Sequence, residues 1–132
     1  MTTGERELIE SGVKHIDHAI RKSKLDGDYT LYRGVRSVDW IENSFVGGIF
    51  TEKAFGSFTL DFDRACEYTN PEKPMIFQLE LPKRENVLFV DESEEEMLCP
   101  RDSTYEITEI KNVFVAKFNM VGKRYYLKKR RE

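Results

Sequence analysis

Apolar residues recur every three or four positions near the start of the chain and every second position towards its end. Leu8, Ile9, Val13, Ile16, Ala19 and Ile20 share one face at helical spacing. Thr2 stands three residues before Glu5, the spacing of a capping box. The pattern predicts an amphipathic helix over about 4–24, with Lys14, Asp17, Arg21 and Lys22 outside and Leu25-Asp26-Gly27-Asp28 at its end. Segments 29–35 and 55–60 are rich in β-branched and aromatic residues and read as strands. Segment 61–68 reads as a short helix, started by Asp61 and stopped by Asn70-Pro71. Segment 40–50 is ambiguous: Gly47-Gly48 marks a turn, and a short helix fits before it. Downstream the period becomes two, predicting strands at 75–81, 86–90, 96–99, 104–110, 113–118 and 124–128. Turns are expected at Pro82-Lys83-Arg84, Pro100-Arg101-Asp102, Lys111-Asn112 and Val121-Gly122. The sum is α+β, with helices early and antiparallel strands late.

A chain of 132 residues has room for one core, so residues 1–132 are expected to form a single domain. Its 39% hydrophobic and 34% charged residues are those of a globular protein. The net charge of -3 argues neither for nor against nucleic acid, but its distribution is uneven. Acids gather from Asp91 to Glu96 and bases in the tail 123–132. That tail is either a solvated, frayed end or a patch for RNA or an acidic partner. Cys66 and Cys99 offer neither metal spacing nor a disulfide framework and read as buried thiols in a reducing compartment. His15 and His18 have no further ligands nearby, so no metal is expected. No segment has the pattern of a secretion signal or a membrane span, so the expected place of action is a cytosol, with no membrane partner.

Three stretches carry candidate chemistry. Arg33 lies among apolar strand residues, where a guanidinium needs an anion: either an internal carboxylate or a phosphate, which its planar fork suits. Gly34 follows it, and a backbone without Cβ can approach a flat ring closely. In Phe55-Gly56-Ser57-Phe58-Thr59, alternation puts Ser57 and Thr59 on one side and Phe58 on the other. The acidic run Asp91-Glu92-Ser93-Glu94-Glu95-Glu96 enters Met97-Leu98-Cys99-Pro100 directly, which draws Glu96 to the sheet edge. In an extended backbone Glu94 and Glu96 would face one cleft, and paired carboxylates can split roles.

In this order and spacing the three stretches resemble the Arg…Ser-Thr-Ser…Glu-x-Glu signature of arginine-specific mono-ADP-ribosyltransferases. The resemblance covers roughly 29–110, and small phage-type enzymes are the nearest comparison. Phe58 stands at the middle Thr of the motif and Thr59 at its last Ser. The resemblance implies a split antiparallel β-sheet sandwich with an N-terminal helix and few short helices. It implies NAD+ as co-substrate, with no metal, bound in a cleft between the sheet halves. Arg33 would pair with the phosphates, the Gly34 backbone with nicotinamide, and Ser57 would position Glu96. Glu96 would stabilise the charge that develops on the ribose, and Glu94 would receive the incoming guanidinium. The hydrophobic strand after the motif sets the register on Glu96; the rival register uses Ser93 and Glu95. Thr59 falls in the same segment, and Tyr68 is either a wall for nicotinamide or core packing. The partner would be a protein with an accessible arginine, in the family often host transcription or translation machinery. Two other readings stay open: an NAD+ glycohydrolase on the same scaffold, and a non-enzymatic module that uses its basic tail on RNA or protein.

Overall fold

In the computed structural model, residues 2–91 and 95–131 are described; of Asp91 the description extends to the backbone only. The elements are α1 (Thr3–Lys22), β1 (Tyr29–Gly34), β2 (Ile49–Glu52), β3 (Gly56–Thr59), α2 (Phe62–Glu67), β4 (Met75–Leu81), β5 (Leu88–Asp91), β6 (Glu96–Cys99), β7 (Ser103–Val115) and β8 (Met120–Lys129). The strands form one sheet in the order β2-β7-β8-β4-β1-β3-β6-β5. Neighbours are antiparallel except β4 and β8, which run parallel.

The sheet buries one face against itself. Leu31, Phe77, Leu79, Phe58, Met97, Cys99, Tyr105, Tyr125 and Leu127 form one buried cluster. Tyr105 of β7 lies 6.4 Å, centroid to centroid, from Phe58 of β3, although three strands separate β7 from β3 in the ladder. Only a strongly curled sheet brings them together, and the curl makes the two halves of the sandwich. Phe50, Phe77 and Tyr125 continue this aromatic spine through tilted contacts of 5.6–6.2 Å. The other face is covered by α2 at one place, where Ala65 and Cys66 pack on Ile76 and Val115.

Helix α1 starts where the capping box placed it, with Thr2 Oγ1 accepting from the Glu5 amide at 3.1 Å. Its apolar face is only partly used. Ile20 is buried, while Leu8 and Ile9 stay 76% and 54% exposed. The last turns alone reach the sheet: Asp17 pairs with Arg101, and Asn86 Nδ2 donates to the carbonyls of Ile20, Arg21 and Ser23.

Four expectations of local structure are corrected. Segment 40–50 holds the expected turn at Gly47-Gly48, but the short helix expected before it is only a hydrogen-bonded turn after Val38, and the segment ends in the start of an edge strand, β2. Lys111-Asn112 is no turn, because β7 runs through it for 13 residues. The reversal comes at a 3₁₀ turn over Ala116–Phe118 and at Asn119, whose φ of 48° is left-handed. Gly122 lies within β8; a Cβ there would stand 2.3 Å from the Pro74 carbonyl oxygen, so this glycine serves close approach. The basic tail is no frayed end either. β8 carries it to Lys129, Arg124 packs 4.6 Å over the Phe62 ring, and Lys129 and Arg131 both pair with Glu85.

Gly122→Ala should therefore destabilise the fold by about 1–3 kcal/mol, the usual cost of overpacking, or more because the obstacle is backbone. In urea titration the midpoint should fall while the slope stays unchanged.

Candidate active site

The ends of β1, β3 and β6 and the outer side of α2 enclose a cleft of about 350 Å³. It is lined by Tyr32, Arg33, Gly34, Ser57, Phe58, Thr59, Arg64, Ala65, Tyr68 and Glu96. The volume is in the range of small-molecule sites. Arg33, Gly34, Ser57, Thr59, Tyr68 and Glu96, singled out along 64 positions of sequence, thus meet at one place.

Strand register explains the meeting. Tyr32 pairs with Thr59 and Thr59 with Glu96, so three side chains stand in one row on one face. Ser57 lies two residues back along β3, opposite Leu98, and so is a diagonal neighbour of Glu96. Such diagonals are ~7–8 Å apart at the backbone, within reach of a glutamate side chain. Ser57 is exposed to the cleft and Phe58 is buried, the alternation expected. The Thr59 hydroxyl accepts from the Asp61 amide at 3.1 Å, and Asp61 in turn caps α2 through the Asp63 amide at 2.9 Å. The hydroxyl therefore helps start the helix that forms one cleft wall. Tyr68 is the C-cap of that helix and remains 51% exposed, so it stands as cleft wall and not in the core.

Glycine at 34 has a cause beyond the one the sequence suggested. A Cβ there would lie 2.1 Å from the Ala65 carbonyl oxygen and 2.8 Å from the Thr69 amide nitrogen. The end of α2 crosses β1 at this point, and only glycine admits it. Thr69, 1% exposed, bonds the crossing down: its hydroxyl reaches the carbonyl oxygens of Val35 and Met75 and accepts from the Met75 amide at 2.7 Å.

Arg33 has its anion within the chain. Nη1 donates to both carboxylate oxygens of Glu52, each at 2.6 Å, and the guanidinium lies 5.9 Å over the Phe58 ring. The internal carboxylate weighed from the sequence is therefore present, and Arg33 borders the cleft as well. Arg64 was missed by sequence reasoning. It sits on the helix face that reads as solvated, yet it lines the cleft, and among the described residues it has no ion-pair partner.

Glu96 is the first residue of β6, half-buried, and it lines the cleft; Glu95 is exposed and does not. Glu95 has a left-handed φ of 54°, and its carbonyl accepts from the Leu60 amide. The argument that Glu94 and Glu96 face one way needs an extended backbone through Glu95, and this conformation removes that premise. Glu94 itself, with Glu92 and Ser93, lies outside the described residues. The described residues hold no cluster of metal-ligating side chains, and none of their helices is long and apolar enough to cross a membrane.

The cysteines are buried and unpaired. Burial pushes the Cys99 thiol up to about 12, and burial also raises Cys66. Neither can supply a thiolate near neutral pH. At pH 8 a thiol reagent should label the native protein slowly if at all, and should label two cysteines per chain once it is unfolded.

The sequence matches the model of the ADP-ribosyltransferase exoenzyme family over residues 2–128. No curated protein matches the chain. Among solved structures, it resembles Plx2a, an ADP-ribosyltransferase toxin from Paenibacillus larvae, with a TM-score of 0.76 and 20% identity over 98% of this chain and 74% of that one. C3stau2 from S. aureus, solved with NAD, gives 0.72 and 19% over 94% and 73%. The toxin BECa from C. perfringens, solved with NADH, gives 0.74 and 17% over 98% and 36%. At these identities the likeness is one of fold.

Proposed function

Because the chain belongs to the ADP-ribosyltransferase exoenzyme family, we propose that it transfers a single ADP-ribose from NAD+ to arginine side chains of target proteins, in the cleft bordered by Arg33 and Glu96. The observation that supports this most is the placement of charge. Two guanidinium groups, Arg33 and Arg64, and one carboxylate, Glu96, line the same cleft. A dinucleotide has that polarity when it reacts: a diphosphate at one end and, at the other, a ribose that becomes cationic.

In this reading Arg33 and Arg64 take the diphosphate, and the Gly34 backbone bonds the nicotinamide amide beside Tyr68. Ser57 orients Glu96. Glu96 accepts from a hydroxyl of the nicotinamide ribose and stabilises the oxocarbenium-like charge as the C1′–N bond breaks. Nicotinamide departs neutral with the bonding electron pair. A guanidinium nitrogen of the target then attacks C1′, and Glu94 accepts the proton it releases. Arginine as acceptor, and Glu94 as its receiver, rest on the Glu-x-Glu spacing at 94–96.

The test is incubation with labelled NAD+ and a cell lysate. Glu96→Ala should lose both protein labelling and nicotinamide release by on the order of 100-fold or more, the usual cost of a key charge-stabilising group. Glu94→Gln should lose labelling and keep part of the NAD+ hydrolysis, and the label should be released by neutral hydroxylamine. Normal labelling of protein arginine by Glu94→Gln would remove the role given to Glu94.

A further inference from the structure

We propose that Glu52 is a positioning residue for NAD+: it holds Arg33 from outside the cleft, so that the rest of the guanidinium meets the diphosphate already oriented. The inference deepens the reading above and rests on Arg33 being the phosphate ligand.

The geometry is specific. A guanidinium presents five N–H donors in a fixed plane. Here both bonds to Glu52 come from a single nitrogen, Nη1. Among the described residues Nη2 and Nε have no hydrogen-bond partner, and a nitrogen pair of that kind is what grips a phosphate in a fork. Glu52 is not among the residues lining the cleft, whereas Arg33 is. The carboxylate is 17% exposed and the guanidinium 32%, so the pair is largely shielded and little screened. Phe58 lies beneath the guanidinium, its ring centroid 5.9 Å away, and gives it a flat apolar support.

The physical consequence is twofold. Without an anion, a half-buried Arg33 would swing to water or be left uncompensated in the free protein. With Glu52 bonded at one nitrogen, the side chain is ordered before the substrate arrives, and binding does not have to order it. Glu52 comes from the last position of an edge strand, paired with Ser103, so it can be changed without opening the core cluster.

The experiment is steady-state NAD+ turnover and calorimetric NAD+ binding for wild type, Glu52→Ala, Glu52→Gln, Arg33→Ala and the double variant Glu52→Ala/Arg33→Ala, with thermal melts of each. Glu52→Ala should raise KM and the dissociation constant for NAD+ about tenfold, the upper end of the cost of ordering one long side chain, with kcat little changed. Glu52→Gln, whose amide oxygen can still accept from Nη1, should recover most of the loss. In the Arg33→Ala background the second change should have no further effect on KM. An unchanged or lower KM in Glu52→Ala would overturn the inference, as would a fall in kcat and melting temperature that persists without Arg33. If wild type neither binds nor consumes NAD+, the functional reading fails and this inference with it. If wild type turnover depends on Glu96 but not on Glu52, only the inference fails.

Discussion

The end of α2 passes over the end of β1 so closely that no side chain fits between them. The Ala65 carbonyl oxygen stands 2.1 Å from where a Cβ of residue 34 would be, far inside contact distance. Thr69 fastens the same crossing: its buried hydroxyl accepts from the Met75 amide and shares its one proton between the carbonyl oxygens of Met75 and Val35, the residues at the start of β4 and just beyond β1. Three elements are thereby fixed at one point, and the cleft is what lies in front of it. Arg33 is the residue before this glycine; Ala65 and Tyr68 belong to the crossing segment; Arg64 precedes it. The displacement of α2 that a methyl group would demand here, on the order of an ångström, would carry Arg64, Ala65 and Tyr68 away from Arg33 and so change the width of the cleft.

Those two strands supply the opposite charge by another device. Thr59 pairs with Glu96 across the ladder, and the left-handed Glu95 ends the ladder just there. Glu96 is therefore held at a strand end and not on a mobile tip, while Arg33 is held at the end of β1. Thr59 joins the two, since it pairs with Glu96 on one side and with Tyr32 of β1 on the other, and its hydroxyl helps start the helix that carries Arg64. This matters for a reaction in which charge appears on one part of the substrate only. Preorganised groups act without moving when the charge develops.

Much of this was legible in the sequence where periodicity and neighbours act locally. Strands 75–81 and 96–99 are found as read, and α2 differs only in having Asp61 and Tyr68 as its caps. What escaped was set by distant neighbours. Lys111-Asn112 looks like a turn because both residues are polar. Yet Lys111 covers the Tyr126 ring and Asn112 accepts from Lys123, contacts that a strand makes with its partner. Gly122 marks contact with Pro74, 48 positions away, and glycine alone does not say which of its two uses applies. Glu52 is 19 positions from Arg33, in an edge strand of four residues whose alternation is too short to detect. Arg64 belongs to a polar helix face, and only the fold shows that this face borders a cleft.

The two faces of the sheet explain how so few helices serve. Towards the curl, Leu31, Phe77, Leu79, Met97, Tyr125 and Leu127 are all buried. On the other face the same strands carry Thr30, Tyr32, Gln78, Glu80, Tyr126 and Lys128, half-buried or exposed. A sheet that folds its apolar face onto itself leaves no second apolar face to cover. One helix of six residues is enough, and it is needed only over Ile76 and Val115. The polar face is then open beside α2, and the row Gln78–Tyr32–Thr59–Glu96 runs across it from the middle of the sheet into the cleft. The economy of the core and the accessibility of the cleft are consequences of the same curl.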